Sequence, residues 1–321
     1  LAAWVDRLAT TERPFEHALA WFWHDHFAVS YAVVNHLPTL VAHLELLREH
    51  ATGSFRQLVR EVTTDAAMLI FLDGATSTGE SPNENYGREM LELYTVGLGD
   101  GENYTEDDVR AAAVALTGWV VRRRLGYRVD FFAARHDDTP QTLLGVDGVH
   151  DVDTVVDAAV GHPAVPRFIA AKMARHVLGA VDEGTVGDLA ASFAESGLDL
   201  AVLARRVLEV GLGGAGSPAI VAPVPWTVQA MKATGARPEP RLLVGLLRSM
   251  GQVPGNPPNV GGYPGAAAWL SSSATTARFT AANALARLTP DDSAVLASCA
   301  FAPFSAGLLH ENSAHGFGRS S

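Results

Sequence analysis

The stretch Pro14-Phe15-Glu16-His17-Ala18-Leu19-Ala20-Trp21-Phe22-Trp23-His24-Asp25-His26-Phe27 decides the fold. A proline at its start suits a first helical turn, where its missing N–H is not needed. Phe15, Leu19, Phe22 and His26 then recur on one stripe of a 3.6-residue period, and Trp23 and Phe27 widen that stripe into a face that must be buried. The same period governs nearly all of the chain on either side.

Downstream, Pro38 to about His50 reads as a helix closed by Gly53, and Ser54-Phe55-Arg56-Gln57 has the spacing of a capping box for the next. A short helix near Asp65 to Phe71 leads to a polar loop from Asp73 to Glu80. Ser81 with Glu84 then offers a second cap, and Pro82 falls at the first helical position of a helix ending at Gly97. Thr105-Glu106-Asp107-Asp108 opens an alanine-rich helix running to Gly118. From Trp119 to Phe132 the pattern changes to Val, Tyr and Phe around Gly126, the composition of a hairpin. After a loop through Gly148, helices are expected at about Asp153 to Val160, Pro163 to Leu178, Val186 to Ser196, Asp199 to Val210, Pro225 to Thr234 and Pro240 to Met250. Asn256 to Gly265 reads as a loop, followed by an amphipathic helix to about Leu288 and a short one to Ala300. The expected fold is therefore mainly α: a multi-helix single domain over residues 1–300 with one small β-hairpin at about residues 119–132, and an irregular tail over 301–321. Leu1-Ala2-Ala3-Trp4 reads as the inside of a helix, so the natural protein is expected to have a further N-terminal segment.

Composition narrows the function classes. A chain of 321 residues with 48% hydrophobic and 18% charged residues can bury a large core. Its 24 basic residues against 35 acidic ones give a net charge of −11, which disfavours nucleic acid as a general partner, because few cations are free to displace counterions. Arg122-Arg123-Arg124 is the only basic run. No stretch approaches the roughly 20 apolar residues of a membrane span. The single cysteine, Cys299, excludes an intrachain disulfide and a thiolate-rich zinc site, so a bound metal would rely on His, Asp, Glu or Asn. Gly-x-Ser-x-Gly, Walker A, dinucleotide and His-Glu-x-x-His signatures are all missing.

Polar, chemically capable side chains concentrate in three places. In the first, His24 and His26 are two apart and point about 200° away from one another on a continuous helix. One reading makes them a core histidine and a surface one. The other makes one of them a ligand or base whose ring Asp25 orients. In the second, Glu84, Arg88 and Glu92 form an ion-pair ladder at helical spacing, which leaves Asn85 and Glu89 on a different face with Asn83 at the entrance. Asn85 and Glu89 are expected to face inward toward the histidines. Gly87 costs this helix on the order of 1 kcal/mol relative to alanine, which predicts close approach of another backbone or a bound group. The third is His136-Asp137-Asp138, in a loop after the hairpin, open to reading as a metal or acid/base pair or as an Asx turn before Pro140. Lys172 and Arg175 are available to pair with carboxylates.

Six motifs follow one another in a fixed order: Phe22-Trp23-His24-Asp25-His26-Phe27-Ala28-Val29-Ser30, Pro82-Asn83-Glu84-Asn85-Tyr86-Gly87-Arg88-Glu89, Tyr104 to Arg110, Leu116-Thr117-Gly118-Trp119, His136-Asp137-Asp138 and Pro257-Pro258-Asn259-Val260. Together they resemble the bacterial family catalogued as domain of unknown function 1800, from near residue 1 to about residue 286. The resemblance implies a periplasmic or secreted protein, longer at its N-terminus, often encoded beside a protein with a sulfatase-like fold. It carries no activity. This chain departs from the family pattern at Gly87, where alanine is usual, at Tyr263, where tryptophan is usual, and in the tail after about Ala300.

Two functions are expected from these residues. The first is a hydrolase on a polar substrate such as a saccharide or ester. In it His24 or His26, Glu89, His136 and Asp137 are catalytic, Glu89 and His136 can hold a divalent cation, and Asn83, Asn85 and Asn259 bind substrate. The second is a non-catalytic export or surface-assembly protein in which the same residues form a buried polar network.

Overall fold

The computed structural model describes residues 2–99, 101–217 and 220–290. The helix expected to end at Ala300, Cys299, and the tail over 301–321 lie outside the described residues. The protein is mainly helical, at 62%, with 13 helices of seven or more residues and two small two-stranded antiparallel sheets among the described residues. Chain contacts gather into two compact units. The larger comprises Glu12–Ile220 with Pro254–Ala266, and the smaller comprises the described parts of 1–11, 221–253 and 267–321.

The chain enters through α1 (Ala2–Thr10), a member of the smaller unit. The larger unit then begins with α2 (Pro14–His26), α3 (Tyr31–Val34), α4 (Leu37–Glu49), α5 (Phe55–Thr63) and α6 (Ala66–Phe71). The face expected of α2 is the core of this unit: Leu19, Trp23 and Phe27 are at most 1% exposed, and the Trp23 ring stacks on Phe27 and Phe55 at 5.9 and 6.0 Å. Each such side chain contributes on the order of 2 kcal/mol by leaving water. The indole N–H of Trp23 donates to the Ala51 carbonyl at 3.1 Å, so this ring is buried without a stranded donor.

Helix α7 (Glu84–Glu89) runs on into a π turn over Met90–Thr95. Its cap differs from the expected one. Asn83, not Ser81, is the N-cap: its Oδ1 accepts the Tyr86 N–H at 3.3 Å while its Nδ2 donates to the Leu72 carbonyl at 2.7 Å. Ser81 instead closes a turn with Thr78. The Glu84–Arg88–Glu92 ladder is also replaced. Arg88 forks onto both carboxylate oxygens of Glu106 at 2.7 Å, and Glu92 accepts the Tyr104 hydroxyl at 2.7 Å. The cause is the next helix, α8 (Glu106–Ala115), which lies against α7 and brings better-placed partners than the helix itself offers. Gly87 permits that approach, since a Cβ there would sit 2.7 Å from the Val109 carbonyl oxygen and 3.1 Å from the Ala113 nitrogen. The expected neighbour of Gly87 is thus another backbone.

Strands β1 (Trp119–Arg122) and β2 (Arg128–Phe131) form the expected hairpin, pairing Trp119 with Phe131. A second hairpin, β3 (Gln141–Leu143) with β4 (Val146–Val149), stands where only a loop was expected. It is held on α8 by Asp108, whose Oδ1 accepts the Leu144 N–H at 2.6 Å, and by Leu143 and Val149, which are 0% and 1% exposed. Leu144 turns the chain at φ 53°, where a leucine gives no turn signature. Helices α9 (Val152–Val160), α10 (Val165–Leu178), α11 (Glu183–Glu195) and α12 (Leu200–Leu212) complete the larger unit, near their expected bounds. In the smaller unit α13 (Pro223–Thr234) packs on α1 and on α15 (Ser272–Ala286), with α14 (Pro240–Ser249) beside them.

Candidate functional site

The expected site residues fall into separate neighbourhoods of the larger unit. At the end of α2, His24 and His26 are both buried, at 0% and 3% exposed, which overturns the expectation of one surface histidine. Their hydrogen bonds assign opposite tautomers. The Gly255 N–H donates to His24 Nε2 at 3.0 Å, so the proton of the neutral ring is on Nδ1. His26 Nε2 faces the Tyr94 carbonyl at 3.0 Å and must donate, so its lone pair is on Nδ1, an atom with no hydrogen-bond partner among the described residues. Burial is the main force keeping both rings neutral. It depresses His24 to about 3, with His43 acting in the same direction, and holds His26 well below the ordinary histidine range.

Asp25, half-buried between them, accepts the Tyr263 N–H at 2.7 Å. Gly262 makes this approach possible. At φ 90° a Cβ on it would lie 2.5 Å from both the carbonyl oxygen and Oδ1 of Asp25. The Tyr263 ring stacks on Trp21 at 5.6 Å, and its hydroxyl is 3.5 Å from His24 Nε2. From α10, Lys172 reaches the same region: its Nζ donates to the Leu93 carbonyl at 3.3 Å and stands 5.0 Å from the centre of the Phe168 ring. Burial raises the Asp25 pKa, opposed by the Tyr263 N–H and Lys172. Burial also lowers Lys172 to about 8, opposed by Asp25 and aided by Arg175. Asn259 lies on the same loop but is exposed, its Oδ1 taken by the Gly261 N–H at 2.9 Å within a turn.

His136 and Asp137 build a different neighbourhood with the loop before α7. The Thr117 hydroxyl hydrogen goes to the Val114 carbonyl at 2.7 Å, so its oxygen is left as an acceptor. That oxygen takes the Asp137 N–H at 3.0 Å and lies 3.1 Å from His136 Nδ1, which is also 3.0 Å from the Thr117 carbonyl. Both groups facing Nδ1 are acceptors. The His136 ring therefore carries its proton on Nδ1, and Nε2 holds the lone pair. Gly79, whose N–H donates to the Arg135 carbonyl at 2.8 Å, brings the facing loop alongside, and an open groove results between Thr78-Gly79-Glu80 and Ala134 to Asp138. A second open groove, lined by Asp73, Thr76, Ser77, Ser81, Pro82, Asn83 and Glu84, lies along the same loop. Asn83 and His136 are thus joined through residues 76–82, since the Ser77 hydroxyl accepts the Asn83 N–H at 3.0 Å and the Ser77 carbonyl accepts the Gly118 N–H at 3.4 Å.

Asn85 is exposed and Glu89 half-buried, and among the described residues no hydrogen bond or ion pair joins either to a histidine. Burial and the neighbouring Glu92 raise the Glu89 pKa, while Arg88 opposes them. No group of three or more His, Cys, Asp or Glu side chains among the described residues is placed to hold a metal ion. The sequence assigns no site role to His43, Asp65, Thr117 or Tyr263, although Thr117 stands in a motif of the family resemblance and Tyr263 at a position where the chain departs from it. A buried histidine such as His43 on the apolar stripe of α4 is the kind of signal that marks a polar partner in the core.

No curated protein and no solved structure matches this chain. The family model described as Protein of unknown function (DUF1800) matches residues 1–315, which includes most of the tail that carried no recognisable motif. Among the described residues no helix is long and apolar enough to cross a membrane. With its motifs placed at the α2 end, the α7–α8 crossing and the His136 groove, the chain belongs to the DUF1800 family.

Proposed function

We propose that the groove between residues 78–80 and 134–138 binds a polar, hydroxyl-bearing ligand and that His136 is its general base, the chemistry of a hydrolase acting on an ester or saccharide. The observation that supports this reading is the fixed tautomer: Nδ1 is held by Thr117, and the lone pair is on Nε2. Asp137 accepts the Thr139 N–H at 3.0 Å, and hydrogen bonds from Thr139 hold its carboxylate ionised, beside the ring that becomes cationic when it takes a proton. His136 would remove a proton from water or a substrate hydroxyl while Glu80 and Asp138 accept hydrogen bonds from the ligand. Such a base contributes roughly 10²–10⁴-fold to a rate. The test is a panel of chromogenic esters and glycosides assayed with wild type and His136→Gln, together with ¹⁵N NMR of the histidine rings. Turnover that falls by that factor, or a ligand-induced shift of the His136 resonances, supports the reading. Turnover untouched by the substitution, or no response to any compound from either observable, ends it.

A second reading is favoured by the α2 end, where ring nitrogens of His24 and His26 are engaged with backbone groups and so serve packing. There the protein is a non-catalytic export or surface-assembly component. The family resemblance supports a periplasmic or secreted setting and a sulfatase-like neighbour as partner. Fractionation of cells carrying the natural gene, and co-purification with the neighbouring product, test both points.

A further inference from the structure

Lysine is nearly missing from this chain. Of its 24 basic residues, all but Lys172 and Lys232 are arginine. Where a permanent cation suffices arginine serves, whereas lysine alone can give up its proton at accessible pH. Lys232 is exposed in the last turn of α13, a position at which any cation complements the helix dipole.

Lys172 is placed differently. It is half-buried on α10, its three N–H donors have one acceptor, the Leu93 carbonyl at 3.3 Å, and it makes no ion pair among the described residues. One face of its surroundings is the Phe168 ring at 5.0 Å. Arg175, three residues on and so on the same side of the helix, is exposed and makes no side-chain hydrogen bond or ion pair among the described residues. The charges Lys172 senses are Asp25 and Arg175. An amine desolvated against an aromatic ring and set beside a second cation is the arrangement that activates lysine as a nucleophile.

We propose that Lys172 captures a small 2-oxo acid as an imine, with Arg175 holding the acid's carboxylate and Asp25 supplying the proton that lets water leave. The neutral amine adds to the carbonyl carbon to give a carbinolamine. Asp25 then protonates the hydroxyl, the C–O bond breaks as water leaves, the nitrogen lone pair closes the C=N bond to give an iminium, and its N–H returns the proton to the Asp25 carboxylate to leave the imine. One carbonyl and one amine yield one imine and one water, with no oxidant or reductant. Burial favours both starting forms, since it holds Lys172 down to about 8 and raises the Asp25 carboxyl above its ordinary range.

The test is trapping. The protein is incubated with pyruvate and cyanoborohydride near neutral pH, and adducts are mapped by peptide mass spectrometry, with Lys232 as the internal reference. Labelling of Lys172 at least about tenfold faster than Lys232, the difference that one unit of pKa represents, is the expected result. Arg175→Gln should slow labelling by pyruvate and leave labelling by acetaldehyde unchanged, because only the former has a carboxylate. Equal labelling of the two lysines in the folded protein overturns the proposal, and so does an Arg175→Gln effect that is the same for both carbonyl compounds. Lys172→Arg, checked for a native melt, identifies the adduct site independently of the mapping.

Discussion

His43 Nδ1 and Asp65 Oδ2 meet at 2.9 Å with their side chains 0% and 8% exposed. The other ring nitrogen of His43 faces the Phe27 carbonyl at 3.2 Å, and the same Asp65 oxygen accepts the Ala67 and Met68 N–H groups at 3.0 Å. One carboxylate therefore caps α6 while one imidazole ties α4 to the end of α2. Both nitrogens of His43 face acceptors. His43→Ala takes one donor from the Asp65 carboxylate, which keeps the Ala67 and Met68 N–H groups, and losing a hydrogen bond to a charged group costs about 1.5–3 kcal/mol. Urea unfolding of the variant should show that loss, and a change below about 1 kcal/mol, the scale of a surface pair, would mean the two do not interact as drawn.

Gly87→Ala sets two effects against one another. Alanine gains about 1 kcal/mol of helix propensity, but its Cβ would stand 2.7 Å from the Val109 carbonyl oxygen, a backbone atom that moves only if α8 moves. Overpacking of this kind costs about 1–3 kcal/mol. The variant should be no more stable than wild type, and less so by up to about 2 kcal/mol. Thermal melts decide it, and a clearly higher Tm would show that α7 and α8 separate at little cost.

Most of the helices were legible because each carries its own period and punctuation. The α2 stripe, the Thr105–Asp108 capping box and the Gly126 turn all stand where their local chemistry put them. The errors share one cause, competition from residues far along the chain. Ser81 lost the cap of α7 to Asn83 because Leu72 offers Asn83 a second hydrogen bond, and Arg88 left its own helix for Glu106. The candidate site was legible as a set of motifs, but their meeting points were not. Loop 254–263 joining His24 and Asp25, and loop 76–82 joining Asn83 to His136, depend on chain separations no period encodes.

Thr117→Val tests what orients His136. Valine keeps the shape but removes the oxygen that accepts the Asp137 N–H and His136 Nδ1, and it leaves the Asp137 N–H without that partner. A stranded donor costs about 1–3 kcal/mol. The ring should also lose its single tautomer, since only the Thr117 carbonyl remains to hold Nδ1. Ring ¹⁵N shifts of His136 should move from one tautomer toward a mixture. Unchanged shifts would assign the whole orientation to the carbonyl.

Acid should destabilise this protein through the α2 histidines, and the sign follows from where the protons go. Folded His24 titrates at about 3, whereas an unfolded histidine titrates near 6.5. Between those values the unfolded chain binds a proton that the folded chain refuses. Stability is therefore full above about pH 6.5, falls by up to about 1.4 kcal/mol per pH unit below it, and stops falling on this account near pH 3. His26 acts in the same direction. Asp25 and Glu89 act oppositely, because burial raises their folded pKa values and the folded chain then binds the extra proton at low pH. His176, which burial lowers to about 4, and His162, which burial also lowers, add to the histidine side, so the measured slope is the balance of these opposing groups. In urea unfolding at about pH 7 and about pH 5, His24→Gln, which keeps an acceptor for the Gly255 N–H, should lose roughly one histidine's share of the difference. If the variant and the wild type show the same slope, His24 is not held neutral in the folded protein.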